Sequence, residues 1–309
     1  MNNRTIAVLG AGTMGHGIAE LAALARYDVV LCDISDELLA KALTAIKTNL
    51  EAPARCENMK ESSFSVIKRI KCVKSISEAV ASASLVIECL PEILALKKKV
   101  FKELDDLCNP EVILATNTSG LSPTAIAEGL KYPERVVVAH FWNPPQLIPL
   151  VEVVPGERTS KEVVDKIVEW LSELGKQPVR MKKECPGFIG NRLQLALLRE
   201  ALYIVEQGYA GIEEVDKAII YGHGRRLPVT GPFCSADMGG LDIFHNISSY
   251  LFADLSNASE PSRLMQSLVN EGNLGLKSGK GFYDWTPEMK EKMIKSRKET
   301  LTDFIDKDK

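Results

Sequence analysis

The chain has 309 residues, of which 45% are hydrophobic and 26% charged, and its formal net charge is -3. This length and apolar content predict a globular protein that can bury a large core and divide into two domains. The small acidic excess argues against general nucleic-acid binding, because no surplus of lysine and arginine is available to neutralise phosphates.

The cysteine and histidine patterns exclude further classes of protein. The seven cysteines are scattered, odd in number and free of Cys-x-x-Cys spacing, which predicts reduced thiols and a cytoplasmic location. The four histidines form no known ligand motif, so we expect no metal site. Glycines interrupt the apolar segment within the first thirty residues, so we expect neither a signal peptide nor a membrane span there.

The first predicted elements are a strand, a helix and a second strand. Thr5–Leu9 is apolar without polar alternation, which is typical of a strand buried on both faces of a parallel sheet. The sequence GAGTMG follows at residues 10–15, and then come a helix over Ile18–Ala25 and a strand over Asp28–Cys32. A G-x-G-x-x-G turn between a strand and a helix predicts a dinucleotide site.

Each glycine of this turn has a physical reason. Gly10 permits the tight turn, Gly12 lets the backbone approach a pyrophosphate, and Gly15 allows close packing of helix on strand. The N-terminus of the helix would face the phosphates, and Thr13 and Met14 of the turn are further cofactor-binding candidates. A merely flexible loop would not explain the ordered elements on either side.

The residue after the second strand predicts which dinucleotide binds. The carboxylate of Asp33 can accept hydrogen bonds from both ribose hydroxyls and would repel a 2′-phosphate. Ile34 and Ser35 supply no arginine that could reverse this preference. The sequence therefore favours NAD over NADP, with FAD as a lesser alternative.

Strands and helices alternate up to His140. The further strands are Leu85–Glu88, Val112–Ala115 and Val136–Ala139, and the helices are Asp36–Leu50, Ile93–Leu107 and Thr124–Leu130. Such alternation predicts an α/β domain with a doubly wound, Rossmann-type, mostly parallel sheet. Ligands bind beyond the carboxyl ends of such strands, which places Glu88, Thr116–Gly120 and His140 around one crevice.

Residues 54–71 are predicted as a helical excursion with a loop rather than as part of the sheet. Their basic residues are interpreted as a solvated face or, alternatively, as contacts for the phosphates of a ligand. These residues are Arg55, Lys60, Lys68, Arg69 and Lys71.

Two strand-like runs, Val136–Ala139 and Leu150–Val154, follow each other closely. The connection between them carries Pro144 and Pro145 and is too short for a helical crossover. The second strand should therefore run antiparallel or bend away at the sheet edge. A helix over Thr159–Leu174 and a last edge strand, Pro178–Met181, complete this part of the chain, and the patterns that follow are helical.

We place the domain boundary near Cys185, which gives a nucleotide-binding domain at 1–185 and an all-helical domain for substrate and dimerisation at 186–309. The predicted helices are Pro186–Gly208, Glu213–Tyr221, Asp237–Leu255, Pro261–Asn270 and Pro287–Asp306. Proline opens the first of them and glycine closes it, as is common at helix ends.

Six motifs together resemble the L-3-hydroxyacyl-CoA dehydrogenase family, in the order of that family. They are GAGTMGHGIA, VIECLPE, ATNTSGLSPT, HFWNPPQLIPLVEV, PGFIGNRL and GKGFYDW. The resemblance implies an NAD-dependent enzyme of fatty acid metabolism that interconverts 3-hydroxyacyl and 3-oxoacyl thioesters, usually as a homodimer joined through its helical domains.

The resemblance also implies roles for single residues. It places the catalytic histidine at His140, its partner glutamate at Glu152, and the polar groups at the substrate oxygen at Ser119 and Asn191. It places Glu92 and Lys97 at the cofactor-facing edge of the crevice, and Asn117 is a further cofactor candidate; the run Lys97–Lys99 could instead be a solvated helix face.

These residue types suit the oxidation of a secondary alcohol. A histidine titrates near working pH and can remove the hydroxyl proton, and a glutamate on its far ring nitrogen would fix the tautomer and stabilise the imidazolium. Ser119 and Asn191 would stabilise charge on the oxygen. Taken singly, His140, Ser119 and Asn191 could each be structural. His16 is interpreted as a loop residue near phosphate, and the other two histidines as ordinary polar positions.

Departures from the family pattern leave the substrate open. Trp142 and Asn143 follow the histidine, and Arg225 and Arg226 precede the GP and GLD motifs; all four are candidate substrate contacts. The first hypothesis is a short-chain 3-hydroxyacyl-CoA. The second is a CoA-free 3-hydroxy acid or a carnitine-like substrate, whose carboxylate an arginine can hold bidentately, although both arginines could be interface or surface residues. A third is an NAD-binding protein without turnover.

Overall fold

The computed structural model of the protein describes residues 5–51 and 61–307. Cys56, Arg55 and Lys60 lie outside the described residues, so the interpretation of these two basic residues as a solvated face or as phosphate contacts stays a prediction. The chain divides into two compact units. One, the sheet unit, contains residues up to Asn191 and those from Lys298, and the other, the helical unit, contains Arg192–Arg297.

The sheet unit contains one eight-stranded sheet with the order β3-β2-β1-β4-β5-β6-β7-β8. The strands are β1 Thr5–Leu9, β2 Asp28–Cys32, β3 Ile70–Val73, β4 Leu85–Glu88, β5 Ile113–Thr116, β6 Val136–Phe141, β7 Leu150–Pro155 and β8 Gln177–Arg180. Strands β1 to β6 are mutually parallel, and the order reverses at β1, whose neighbours are β2 and β4. The doubly wound, mostly parallel sheet predicted from the sequence is confirmed.

Helices cover both faces of the sheet. They are α1 Thr13–Leu24, α2 Asp36–Leu50, α3 Ser63–Ile67, α4 Ile76–Val80, α5 Leu94–Leu107, α6 Pro123–Ile126 and α7 Lys161–Glu173. Side chains alternate along β1, so that Ile6 and Val8 join a core with α1, α2 and α7, whereas Ala7 and Leu9 join a core with α4, α5 and α6. Burial on both faces explains why these strands are continuously apolar.

The pairing of β6 with β7 sets the geometry of the candidate site. The two strands are antiparallel, as predicted, and their register places His140 directly opposite Glu152. Strand β7 is not at the sheet edge, because β8 pairs with it in parallel and forms the edge. Side chains directly opposite each other in an antiparallel pair project from the same face of the sheet, so both of these side chains can meet.

One predicted segment was wrong. Residues 54–71 were expected to contribute no strand, but the chain enters β3 at Ile70 and pairs with β2 through Val73. Ile70 and Val73 are buried, whereas Lys71 is exposed at the edge of the sheet. A strand of four residues with a charged outer position has too short an apolar pattern to be recognised from sequence alone.

The helical unit contains helices only, apart from isolated bridges at Gly275, Lys280 and Asp284. The helices of this part of the chain are α8 Gly190–Glu206, α9 Ile212–Tyr221, α10 Pro232–Gly239, α11 Leu241–Leu251, α12 Arg263–Asn270 and α13 Pro287–Lys307. The helix predicted over Asp237–Leu255 is interrupted at Gly240, whose φ of 92° lies in the left-handed region that glycine adopts without strain.

Within the helical unit, Leu202 is the one buried side chain. Large apolar side chains are exposed instead, among them Val229, Phe233, Met238 and Phe252, at 86%, 87%, 77% and 71%. Across the described ranges of the chain, no helix is long and apolar enough to cross a membrane.

Candidate active site

The turn between β1 and α1 is shaped to admit a dinucleotide. Gly10 has a φ of 99°, and a Cβ on Gly15 would lie 1.7 Å from the Gly10 carbonyl oxygen, so both positions require glycine. A Cβ on Gly12, by contrast, would meet nothing within 4 Å. The space in front of Gly12 therefore lies at the N-terminus of α1, where backbone N–H groups and the helix dipole favour phosphate. These residues fit NAD.

Asp33 is tied to this turn. Its Oδ2 accepts a hydrogen bond from the Ala11 N–H at 2.9 Å, and its Oδ1 accepts one from Ser35 N–H at 3.0 Å. Each carboxylate oxygen can accept two hydrogen bonds, so both oxygens retain capacity for ribose hydroxyls. The half-buried position of Asp33 thus agrees with the preference for NAD that the sequence predicts.

His140 and Glu152 form a buried pair. His140 Nδ1 lies 2.8 Å from Glu152 Oε2, and Glu152 is 1% exposed. Glu152 Oε1 accepts hydrogen bonds from the backbone N–H groups of Ile189 and Gly190 at 2.8 and 3.0 Å, and Oε2 also accepts one from Trp142 Nε1 at 3.2 Å. Four donors therefore surround one carboxylate.

These hydrogen bonds determine the charge of Glu152. Burial by itself would raise the pKa of this carboxyl, but the hydrogen bonds from His140, Gly190, Trp142 and Ile189 outweigh burial and lower the pKa to about 2. Glu152 is therefore ionised at neutral pH. An ionised carboxylate on Nδ1 favours the tautomer with the proton on that nitrogen, which leaves Nε2 as the basic atom.

A cavity of about 430 Å³ borders this pair within the sheet unit. Eleven residues line it, and all but Cys89, Leu90 and Phe141 are candidates predicted from the sequence. They are Met14, Cys89, Leu90, Glu92, Asn117, Ser119, His140, Phe141, Trp142, Asn143 and Asn191. The structure thus brings His140, Ser119 and Asn191 together around one space, with Met14 at its nucleotide end.

Ser119 lies in a polar network with Glu92 and Asn191. Glu92 Oε1 accepts hydrogen bonds from Ser119 N–H at 2.9 Å and from Ser119 Oγ at 3.1 Å, and Asn191 Nδ2 donates to the Ser119 carbonyl at 3.0 Å. Burial raises the pKa of Glu92, but hydrogen bonds from Thr118 and Ser119 and the charge of Lys97 bring it below its usual value. Glu92 is therefore an anion that holds the Ser119 turn.

Lys97 is buried rather than solvated. Its side chain is 1% exposed, and its Nζ donates to both Glu88 oxygens at 2.8 and 3.0 Å and to the Leu90 carbonyl at 3.2 Å, with Glu92 at 3.4 Å. Glu88 also accepts from Thr116 Oγ1 at 2.6 Å. Glu88 and Lys97 therefore form an internal pair that does not line the cavity, and the role of Lys97 in cofactor binding stays a prediction.

Asn117 has a structural partner as well. Its Oδ1 accepts a hydrogen bond from the Phe141 N–H at 2.8 Å, which ties the end of β5 to the end of β6. Asn117 lines the cavity, and its Oδ1 is already engaged. Its Nδ2 is therefore the atom that could donate a hydrogen bond to a cofactor.

The two candidate arginines belong to the helical unit. Arg225 Nε donates to the Ile220 carbonyl at 3.3 Å, and its guanidinium lies 5.1 Å from the centre of the Tyr221 ring. Arg226 is exposed. Their role in substrate binding stays a prediction.

Sequence reasoning missed two contributors to the buried pair. Phe188 packs on His140 with ring centres 5.5 Å apart, and the backbone of Ile189 and Gly190 donates to Glu152. The PGFIGNRL motif contains these residues but predicts a role for Asn191 alone, because residue type does not indicate which backbone N–H groups donate. Among the described residues, no group of three or more His, Cys, Asp and Glu side chains could hold a metal, and the described cysteines are free.

The chain is similar to known proteins over most of its length. The NAD binding domain model of 3-hydroxyacyl-CoA dehydrogenase matches residues 5–185, and the C-terminal domain model of 3-hydroxyacyl-CoA dehydrogenase matches residues 187–285. The chain is 38% identical to the probable 3-hydroxybutyryl-CoA dehydrogenase of Bacillus subtilis, over 92% of this chain and 98% of that protein.

A relative that acts on a pyridine carboxylate is similar over the same span. The chain is 36% identical to 5-formyl-3-hydroxy-2-methylpyridine 4-carboxylate 5-dehydrogenase of Mesorhizobium japonicum, over 92% of each chain. A solved structure of an enzyme with that activity, an NAD+ dependent dismutase, superposes with a TM-score of 0.89 over 97% of this chain and 96% of that one, at 35% identity. The chain is a member of the 3-hydroxyacyl-CoA dehydrogenase family, and its cofactor is NAD.

Proposed function

We propose that the protein oxidises a hydroxyl-bearing carbon, or reduces the corresponding carbonyl, with His140 as the base and Glu152 as its partner. NAD, when bound, supplies the hydride acceptor. The observation that carries the proposal is the 2.8 Å contact between His140 Nδ1 and the ionised Glu152, beside a cavity that also borders the N-terminus of α1.

In this mechanism each residue has one task. His140 Nε2 takes the hydroxyl proton as the carbon–hydrogen bond breaks, and Glu152 stabilises the imidazolium that results. A positioned base of this kind contributes roughly 10²- to 10⁴-fold to the rate. In the reverse direction, the imidazolium returns the proton to the oxygen.

Ser119 and Asn191 hold the reacting oxygen. The Ser119 hydroxyl donates to Glu92 in the structure, so it must turn from Glu92 to the substrate oxygen in order to stabilise developing negative charge. Asn191 Nδ2 donates one hydrogen to the Ser119 carbonyl at 3.0 Å, and the second hydrogen of this amide would donate to the substrate oxygen. The chain supplies orientation and proton transfer, which are the tasks of the protein in a nicotinamide enzyme.

The first candidate substrate is an L-3-hydroxyacyl-CoA thioester. The names of relatives such as the probable 3-hydroxybutyryl-CoA dehydrogenase of Bacillus subtilis support it, because the similarity spans 98% of that protein. A place in fatty acid metabolism would follow from this substrate.

The second candidate is a CoA-free carboxylate that carries a hydroxyl or formyl group. The relative that acts on a pyridine carboxylate supports it, because its solved structure matches nearly the whole chain with a TM-score of 0.89. Arg225 and Arg226 are candidates for holding the carboxylate, since a guanidinium can bind two carboxylate oxygens at once.

A single comparison of substrates tests both candidates. NADH oxidation is measured with acetoacetyl-CoA, acetoacetate, dehydrocarnitine and 5-formyl-3-hydroxy-2-methylpyridine-4-carboxylate at equal concentrations. The first candidate predicts turnover of acetoacetyl-CoA and little of the rest. Rejection of the thioester with use of a free carboxylate would replace it by the second. Retained NADH binding without turnover of any of them would favour an NAD-binding protein without enzymatic activity.

We also propose a homodimer joined through the helical domain, with the domain boundary near Cys185 and a cytoplasmic location. The exposed apolar side chains of the helical unit support the dimer, because monomeric proteins rarely expose large contiguous apolar patches. Light scattering after gel filtration should give twice the 34.0 kDa chain mass; a value of one chain mass at micromolar concentration would contradict the dimer.

A further inference from the structure

The indole of Trp142 is directed at the buried pair rather than only at the cavity. Trp142 follows β6 by one residue, and its Nε1–H donates to Glu152 Oε2 at 3.2 Å. This oxygen is the same one that accepts from His140 Nδ1 at 2.8 Å. An indole N–H can only donate and never titrates in water, so its hydrogen bond is stronger to the ionised carboxylate than to the protonated form.

Gly190 and His140 lie next to the Trp142 ring. A Cβ on Gly190 would lie 2.3 Å from Trp142 Cζ2, so a larger residue there could not coexist with the ring in this place. The Trp142 ring centre is 5.9 Å from that of His140, and Trp142 is half-buried. The first residue of α8 thus leaves room for the indole while its N–H donates to the other oxygen of Glu152.

We propose that Trp142 is a positioning residue that sets the basicity of His140 through the Glu152 oxygen that both side chains share. The proposal rests on the proposed role of His140 as the base. A second donor on Oε2 draws negative charge away from the bond to His140, so the imidazolium is stabilised less than it would be by Glu152 with His140 alone. Trp142 therefore keeps His140 a weaker base.

The remaining ionisable groups around His140 do not share this contact. Cys89 and Glu92 line the same cavity from the segment after β4; burial raises the pKa of the Cys89 thiol, which keeps it neutral, and Glu92 is an anion bound to Ser119. The segment before α8 brings the Phe188 ring, behind which the Cys185 thiol donates to the Phe188 carbonyl. Strand β7 brings Glu152 itself.

The test is a nitrogen-15 NMR titration of the full-length protein with labelled histidine and tryptophan, wild type against Trp142→Phe. The phenylalanine keeps an aromatic ring and removes the N–H. The apparent pKa of His140, assigned with His140→Gln, should rise by roughly 0.5 to 1 unit. The other three histidines serve as internal controls and should titrate as in the wild type. A His140 value unchanged within about 0.2 unit would overturn the proposal.

A second measurement needs no variant and covers the case in which Trp142→Phe does not fold. In the wild type, the Trp142 indole N–H resonance should shift with the same midpoint as the His140 ring, while those of Trp170 and Trp285 should not. If the Trp142 resonance does not change as His140 titrates, the proposal that both side chains share Glu152 Oε2 is wrong. Neither readout requires a substrate, so turnover retained in His140→Gln would refute the proposed base without deciding this point.

Discussion

The sheet unit and the helical unit differ in the fraction of their side chains that is buried. The sheet unit encloses two large apolar cores and a small third one, and it also buries the polar side chains of His140, Glu152, Glu88 and Lys97. The helical unit buries one side chain, Leu202, and exposes apolar ones. A carboxylate can be buried only where surrounding groups are fixed well enough to satisfy it. The sheet unit can therefore hold a preorganised polar site.

This comparison also separates two uses of apolar residues. In the sheet unit they stabilise the chain by contact with one another, whereas in the helical unit they remain available for a second surface. Matched substitutions in the two units can therefore test whether the units use their apolar residues in these two ways.

The largest effect is expected from the histidines. His140→Gln should lower turnover roughly 10²- to 10⁴-fold, because the base is lost, and should leave NAD binding unchanged. The matched change in the helical unit, His245→Gln at an exposed position of α11, should leave turnover within about twofold. Steady-state kinetics and NADH fluorescence titration measure both. Turnover retained in His140→Gln would remove the proposed base.

The next effect concerns stability. Phe101 is fully buried in the core beneath α5, so Phe101→Ala should lower the free energy of unfolding by about 3 to 5 kcal/mol. Phe233 is 87% exposed, so Phe233→Ala should change the unfolding of a single chain by less than about 0.5 kcal/mol.

Urea denaturation compares these two variants at several protein concentrations. If the helical unit is covered in a dimer, Phe233→Ala should also weaken the dependence of stability on protein concentration. A large, concentration-independent loss in Phe233→Ala would instead show that the helical unit is packed within one chain.

The sequence was sufficient for the architecture and for the pairing of His140 with Glu152. Apolar runs at β1, β2, β4 and β6 are long enough to be recognised, and the backbone geometry of the turn at residues 10–15 requires glycine at Gly10 and Gly15. The short strand β3 was not predicted, because Lys71 interrupts its four residues and leaves only Cys72 and Val73 as a continuous apolar run.

Other parts of the site depend on three-dimensional packing that residue type does not reveal. Lys97 is first in a run of three lysines typical of a solvated face, yet it turns inward to Glu88, while Lys98 pairs with the exposed Glu128. The rotamer of Trp142 decides whether its N–H meets Glu152 or the cavity, and the sequence leaves that choice open. The sequence also does not predict that the backbone N–H of Gly190 donates to Glu152.

The smallest effect is an acid dependence that belongs to the sheet unit. The pKa of Glu152 falls from 4.5 to about 2 on folding, so its contribution to stability is complete above pH about 5 and is lost as the pH falls toward 2. Between pH 5.5 and 3.5, the wild type should lose about 1 kcal/mol more than Glu152→Gln, because glutamine cannot take up the proton. Most other carboxyl groups are common to both proteins, so their acid losses cancel in the difference. Urea denaturation at several pH values measures the difference, and parallel losses in the two proteins would mean that the four donors do not hold Glu152 ionised.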